Sequence, residues 1–302
     1  MDRSCGGFVH LRRQGGSTVS SPVPLGAFAR IFHVQTAVQL AEAFQVLALT
    51  EVQLNLSTFG FPTIPTEVEI SSGDLEGIGD DLAAAGLTLW GVSATFNTAD
   101  PVTSRRTDQT ARAADFIARL GCTGATAATL CSGSRDPDNM WGFHPDTTSK
   151  SAWKDFRASL DVLLPAAEQG GLLLAIEPEP ANTVADVDRA LRLQQELGDD
   201  AGQIGFILDP ANLITNIAPS DHRYTLERAF GELGHRTICV HAKDTVPWSS
   251  TLVGRGVVDY ELVARLHNDL ANGVPLIIQD AKQEELAEVI ALLRTSTERP
   301  MP

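Results

Sequence analysis

The 302-residue chain is short of positive charge. It holds only four lysines, and its 23 basic side chains face 38 acidic ones, for a formal net charge of −15. That balance excludes binding driven by nucleic-acid phosphates or by an anionic membrane, since both need clustered Lys and Arg. No apolar run approaches the roughly 18–20 residues of a membrane span; the longest, 172–176 and 274–278, are strand-sized. The four cysteines, Cys5, Cys122, Cys131 and Cys239, include no CxxC pair. A disulfide framework is not expected in so large a chain, and a reducing, cytoplasmic setting is. A glycine-rich phosphate fingerprint is also missing after the first apolar run, which argues against an open doubly wound sheet.

What the chain does contain is a repeat. Residues 1–24 are rich in Gly, Ser and Arg without apolar periodicity. Their apolar piece, 8–11, is shorter than the ~7–15 residues of a signal-peptide core, so a disordered tail is expected over 1–24. Beyond it, short apolar runs at 25–33, 51–55, 87–95, 125–132, 172–177, 204–209, 237–242 and 275–280 alternate with amphipathic helical patterns such as 103–120, 151–169 and 184–197. Gly86, Gly121, Gly170, Gly234 and Gly273 close helical stretches before the next run, as left-handed caps do. Eight βα units with right-handed crossovers and no second sheet pattern predict one α/β domain, a (β/α)8 TIM barrel over 25–296, with a short tail at 297–302.

In such a barrel the catalytic groups stand at the C-terminal ends of the strands. Four consecutive predicted strands end in Glu177, Asp209, His241 and Gln279-Asp280, spaced by about one βα unit. Two carboxylates and an imidazole at one barrel mouth form a ligand set for Mn2+, Co2+, Zn2+ or Mg2+. A structural reading stands beside this one. Asp209 before Pro210 is equally a helix N-cap, and a lone His241 is equally a buried core histidine.

Several motifs carry a family resemblance: VQLN (52–55), GVSATFN (91–97), TLCSGSRDPDNMW (129–141) with HPD (144–146), AIEPE (175–179), LDPANL (208–213), HAKD (241–244) and GRGVVDY (254–260). Together they make residues 25–293 resemble the sugar phosphate isomerase/epimerase family, the xylose-isomerase-like TIM barrels. The resemblance implies one divalent metal, Mn2+ foremost, held by Glu177, Asp209 and His241, with a fourth ligand usually a Glu. Here that place reads Gln279-Asp280. Gln279 would ligate through its carbonyl oxygen, Asp280 only after a one-residue shift in register. The implied chemistry is Lewis-acid polarisation of a sugar carbonyl, proton abstraction beside it and an enediolate. Two-base epimerisation needs a second acid/base, which neutral Gln279 does not provide. Isomerisation with Glu177 as the base, or a lyase-type proton abstraction, is therefore expected ahead of epimerisation, with isomerisation first and a dehydratase/lyase reaction second. A non-catalytic ligand-binding barrel with a degenerate fourth position is the alternative from another class.

Lys243 shares a strand face with His241. It reads as a cation for a substrate oxyanion or phosphate, or as an ion-pair partner of Asp244 or Glu177. Asn55 and Asn97 read as hydroxyl ligands or turn formers, and Asn212 and Asp244 as further substrate contacts. The related nucleases resemble this region but carry a His at the position of Asn212, which with the acidic charge speaks against a nuclease. The long connection 131–150 reads as a lid or substrate wall. In it, Arg135 would pair with an anionic group and Trp141 would stack on a sugar face or anchor the loop. His144 reads as structural, Cys131 as a buried small residue and Arg255 as a minor candidate. The expected partner is a small sugar or polyol, with neither nucleic acid nor membrane, and barrels of this size commonly form homo-oligomers.

Overall fold

Each apolar run becomes a strand, and each strand passes the chain to a helix. The structure, a computed structural model, describes residues 23–246, 249–271 and 273–298. The strands are β1 (Leu25–Phe28), β2 (Glu51–Leu54), β3 (Thr88–Ser93), β4 (Ala127–Leu130), β5 (Leu173–Ile176), β6 (Ile204–Leu208) and β7 (Thr237–Ala242). After them come an antiparallel hairpin of β8 (Asp244–Val246) and β9 (Ser249–Thr251), and then β10 (Leu276–Ile278). All but the hairpin pair in parallel and close into a barrel in the order β1-β10-β7-β6-β5-β4-β3-β2. The TIM-barrel expectation holds.

The expected tail at 1–24 lies outside the described residues as far as residue 22. Pro24 already belongs to the fold, since its carbonyl accepts from Leu276 N at 2.9 Å. The last helix continues through Glu298, past the expected boundary at 296, and residues 299–302 lie outside the described residues. The first strand is shorter than the apolar run 25–33, because the chain turns into a 3-10 helix at Ala29–Ile31 that buries Ala29 and Ile31.

Helices α1 (Ala37–Val46), α2 (Ser72–Ala84), α3 (Thr103–Arg119), α4 (Lys150–Gly170), α5 (Val187–Leu197), α6 (Pro210–Ile214), α7 (His222–Leu233), α8 (Tyr260–Asn268) and α9 (Leu286–Glu298) surround the barrel. Their starts are set chemically. Thr36, Ser71, Ser149, Asp186 and Asp259 each accept a first-turn N–H of the helix they precede, satisfying donors that have no partner within the helix.

Period-two alternation sorts the strand side chains into two cores. Leu174, Ile176, Phe206, Leu208, Val240 and Ile278 pack outward against the helices. Trp90, Ala127, Ala175, Ile207, Cys239 and Ile277 make a separate core inside the barrel. The indole N–H of Trp90 crosses this lumen and donates to the Ile238 carbonyl at 2.9 Å, tying β3 to β7 on the opposite side. Parity also settles the strand end that the sequence leaves open. Ile277 faces the lumen, so Gln279 does too, while Asp280 sits at the rim with a backbone φ of 54°.

One buried group outside the site sets a pH limit on stability. His267 in α8 is 7% exposed and its Nε2 has no hydrogen-bond partner. Burial pushes its pKa down to about 4, against an opposing hydrogen bond with the Val274 backbone. The folded protein therefore holds fewer protons than the unfolded chain between pH 6.5 and about 4. Stability is complete above that window and falls through it, by about 3 kcal/mol for this group. Urea midpoints measured from pH 7 to 4 should drop less steeply in His267→Leu than in the wild type; parallel curves would contradict this.

Candidate metal centre

Glu177 directly follows β5, Asp209 directly follows β6, and His241 lies near the end of β7. Since Ala175, Ile207 and Cys239 are lumen residues, the residue two places on from each also points inward. One ligand atom from each of the three lies within 4.8 Å of the others. His241 Nδ1 stands 3.2 Å from Glu177 Oε2. Asp209 is fully buried and fills both roles considered for it. Its Oδ1 caps α6, accepting from Ala211 N at 2.8 Å and Asn212 N at 3.2 Å. Its Oδ2 is buried without a hydrogen-bond partner, and so is His241 Nδ1. Buried polar atoms left unpaired are costly. Two of them beside the Glu177 carboxylate, in a group whose ligand atoms converge within 4.8 Å, suit a cation bound between the three side chains.

The supporting residues fix this arrangement. His241 Nε2 lies 2.9 Å from Gln53 Oε1 and 3.2 Å from Gln279 Nε2; with Nδ1 left free toward the carboxylates, Nε2–H donates to Gln53 Oε1, which holds the ring as the outer partners of metal-binding histidines do. Asn212 joins the acid to the cation: its Nδ2 donates to Glu177 Oε1 at 2.6 Å and its Oδ1 accepts from Lys243 Nζ at 3.1 Å. Lys243 Nζ is 3.5 Å from Asp280 Oδ2 and 3.8 Å from Asp209 Oδ2. Its ion-pair partners are thus these two, not the expected Asp244 or Glu177.

Electrostatics separates the acids. Burial raises the Glu177 carboxyl, but His241, Lys243 and Asn212 outweigh it and hold the pKa below the ordinary value. Burial dominates at Asp209 and raises it to about 7, with Lys243 opposing. Burial and the neighbouring Glu177 charge raise Glu179 to about 8. Burial disfavours the charged form of Lys243, yet the surrounding carboxylates push its pKa above the ordinary value.

A cavity of about 340 Å³ opens over the triad, with Gln53, Asn55, Trp141, Asn212, Lys243 and Gln279 among its walls and Ile207 also lining it. The Oδ1 of Asn55 is engaged by Ser57 N at 2.9 Å, so its turn-forming and wall-forming roles coexist. Three expected site residues do not reach the cavity. Asn97 clamps the Ser134 backbone with both amide atoms, each at 2.9 Å. Arg135 is buried between the Ala99 carbonyl at 3.0 Å and Asp155 at 2.7 Å, because an uncompensated guanidinium cannot be left there. Asp244 is fully buried and accepts from the backbone N–H groups of Thr245, Gly254, Gly256 and Val258 at 2.8–3.0 Å. A Cβ on Gly256 would overlap the Asp244 carboxylate, so the glycine loop closes around this one side chain. Asp244→Ala would leave four backbone donors unmatched. A destabilisation on the order of 3 kcal/mol, visible as a lowered thermal midpoint, is expected; an unchanged midpoint would refute the clamp.

Cys131 is buried, its Sγ 2.9 Å from Asn182 Oδ1, and burial pushes its thiol pKa well up. His144 accepts from Asp146 N through Nδ1 at 3.2 Å. Arg255 pairs with Glu288 at 3.0 Å. Among the described residues Cys122, Cys131 and Cys239 are free thiols, and no helix is long and apolar enough to cross a membrane. Sequence reasoning passed over Gln53, Glu179 and Arg30, which also line the cavity, and Asp280, weighed from the sequence as a ligand, lines it too. Gln53 was detectable as a polar residue between Val52 and Leu54 in a buried strand, and Glu179 by its place two residues beyond Glu177.

Residues 53–296 match the family model described as xylose isomerase-like TIM barrel. No curated protein matches the chain in sequence. Among solved structures, 3-keto-D-glucoside 4-epimerase from E. coli is 16% identical, with a TM-score of 0.67 over 90% of this chain and 99% of that one. D-psicose 3-epimerase from Clostridium cellulolyticum H10 is 13% identical, with a TM-score of 0.68 over 91% and 100%. A xylose isomerase-like TIM barrel protein from Mycobacterium smegmatis, solved in complex with magnesium, is 15% identical, with a TM-score of 0.61 over 91% and 96%. At these identities the likeness is one of fold.

Proposed function

Since this chain belongs to the xylose isomerase-like TIM barrel family, we propose that it is a divalent-metal-dependent isomerase of a sugar or sugar-like polyol. The observation that carries the reading is the convergence of Glu177, Asp209 and His241 within 4.8 Å of one another, with two buried atoms, Asp209 Oδ2 and His241 Nδ1, that have no hydrogen-bond partner. The mixed oxygen and nitrogen donors suit Mn2+ first, with Co2+, Mg2+ and Zn2+ as alternatives. A metal held there would polarise a carbonyl and acidify the adjacent C–H.

The chain's own residues do the rest. Glu177, kept ionised by His241 and Lys243, accepts the proton and returns it to the neighbouring carbon. Asn212 fixes the orientation of that carboxylate through the 2.6 Å bond to Oε1. Lys243, buttressed by Asp280, presents a fixed positive charge to the oxygen where negative charge develops. Trp141 forms part of the cavity wall. Gln279 lies beside His241 and, being neutral, takes no proton.

Epimerisation is the second reading, and Glu179 is the observation that favours it. It is another carboxyl in the same cavity, so the acid/base that Gln279 does not supply has a candidate. The test is to load the protein with Mn2+, incubate it with aldoses, ketoses and inososes in D2O, and follow the C–H signals by NMR. An aldose–ketose pair as product supports isomerisation. Two ketoses differing at one carbon support epimerisation. The absence of both a new sugar and deuterium incorporation with every one of these substrates would sink both.

A further inference from the structure

A second cavity of about 420 Å³ adjoins the first and shares Trp141, Glu179, Asn212 and Lys243 with it. Each is within the ~300–1,000 Å³ of a complete small-molecule site, so the two together exceed what one monosaccharide fills. Four segments line the outer chamber, one of them the stretch after β5 that supplies Glu179 and Pro180. The connection between β4 and α4 supplies Trp141 and Phe143, the end of α6 supplies Thr215 and Asn216, and the β8–β9 hairpin supplies Thr245 and Ser250.

The chemistry of that lining is specific. Phe143 is 78% exposed and Trp141 45% exposed, and no step of the mechanism above uses Phe143. Among the described residues the side chain of Asn216 makes no hydrogen bond. Aromatic faces beside hydroxyl and amide groups match the C–H faces and hydroxyls of a second sugar ring. Among the described residues, the charged ones of the outer chamber are Glu179 and Lys243, both shared with the metal centre, so the rest of its walls is neutral.

We propose, resting on the isomerase/epimerase reading of the metal centre, that the substrate is a glycosidically extended sugar. Its reacting unit sits over Glu177, Asp209 and His241, and its second sugar unit sits between Phe143, Asn216 and the β8–β9 hairpin. Glu179 and Asn212 stand at the junction of the two units.

Calorimetric titration of the Mn2+-loaded protein tests this with fructose beside its 4-, 5- and 6-O-glucosyl derivatives (maltulose, leucrose and isomaltulose), and with glucose beside maltose. At least one glucosylated sugar should bind ~10-fold or more tightly than its free counterpart. Phe143→Ala and Asn216→Leu, both at exposed positions, should each weaken that binding about 5-fold or more and leave the free sugar unchanged. Free sugars binding as well as all glucosylated ones, or variants that shift both alike, would overturn the extended-substrate proposal alone. Binding of no sugar in either class would overturn the metal-dependent sugar reading and this proposal with it.

Discussion

His241→Ala is expected to bind almost no divalent metal under conditions in which the wild-type protein is expected to retain about one per chain through dialysis. The imidazole supplies the sole nitrogen of the triad, and its Nδ1 is held in place by the Gln53 amide oxygen on the far side of the ring. Removing it deletes a donor outright, so the loss of affinity should exceed the ~10–100-fold that follows when an outer supporting hydrogen bond is removed. Elemental analysis of both proteins after incubation with excess Mn2+ reads the result. About one metal per wild-type chain and almost none in the variant is the expected outcome. Equal content in the two would mean that the metal binds elsewhere, and an empty wild-type protein would remove the proposed chemistry.

Glu177→Gln has the larger expected effect on turnover. The substitution keeps the shape of the side chain and removes its capacity to accept a proton. At saturating metal, kcat should fall by about 10²–10⁴, the usual contribution of a positioned acid/base. Metal binding also weakens, because a charge is lost, so metal must be raised until the rate no longer changes. A kcat within tenfold of wild type under that condition would assign the proton transfer to another group. Glu179 would be the first to examine, since it reaches the same cavity.

The barrel was legible in the sequence because its cause is local and repetitive. Eight apolar runs separated by amphipathic helices leave few other closures. Glu177, Asp209 and His241 were legible for the same reason, as polar residues ending runs of apolar ones. Gln279 and Asp280 could not be separated, since Ile277 and Ile278 are equally apolar. Only the lumen contacts of Ile277 decide the parity. Asn97, Arg135 and Asp244 stand within or beside recognisable motifs, but their partners are backbone atoms or side chains far along the chain, such as Ser134 for Asn97 and Asp155 for Arg135. No residue spacing announces such a contact. Gln53 was missed through the converse effect, because the histidine that uses it lies 188 residues away.

The indole of Trp90 spans the barrel from β3 to the Ile238 carbonyl on β7, so a single side chain joins the first and second halves of the fold. Half-barrels exchanged between related proteins, or two fragments split near the start of β5 and mixed, must restore that crosspiece before the inner core can close. A chimaera whose donor half offers a smaller residue at position 90 would assemble its outer helices around an unfilled lumen. Recombination of this barrel is thus constrained at its axis as well as at the two seams where its sheet is joined.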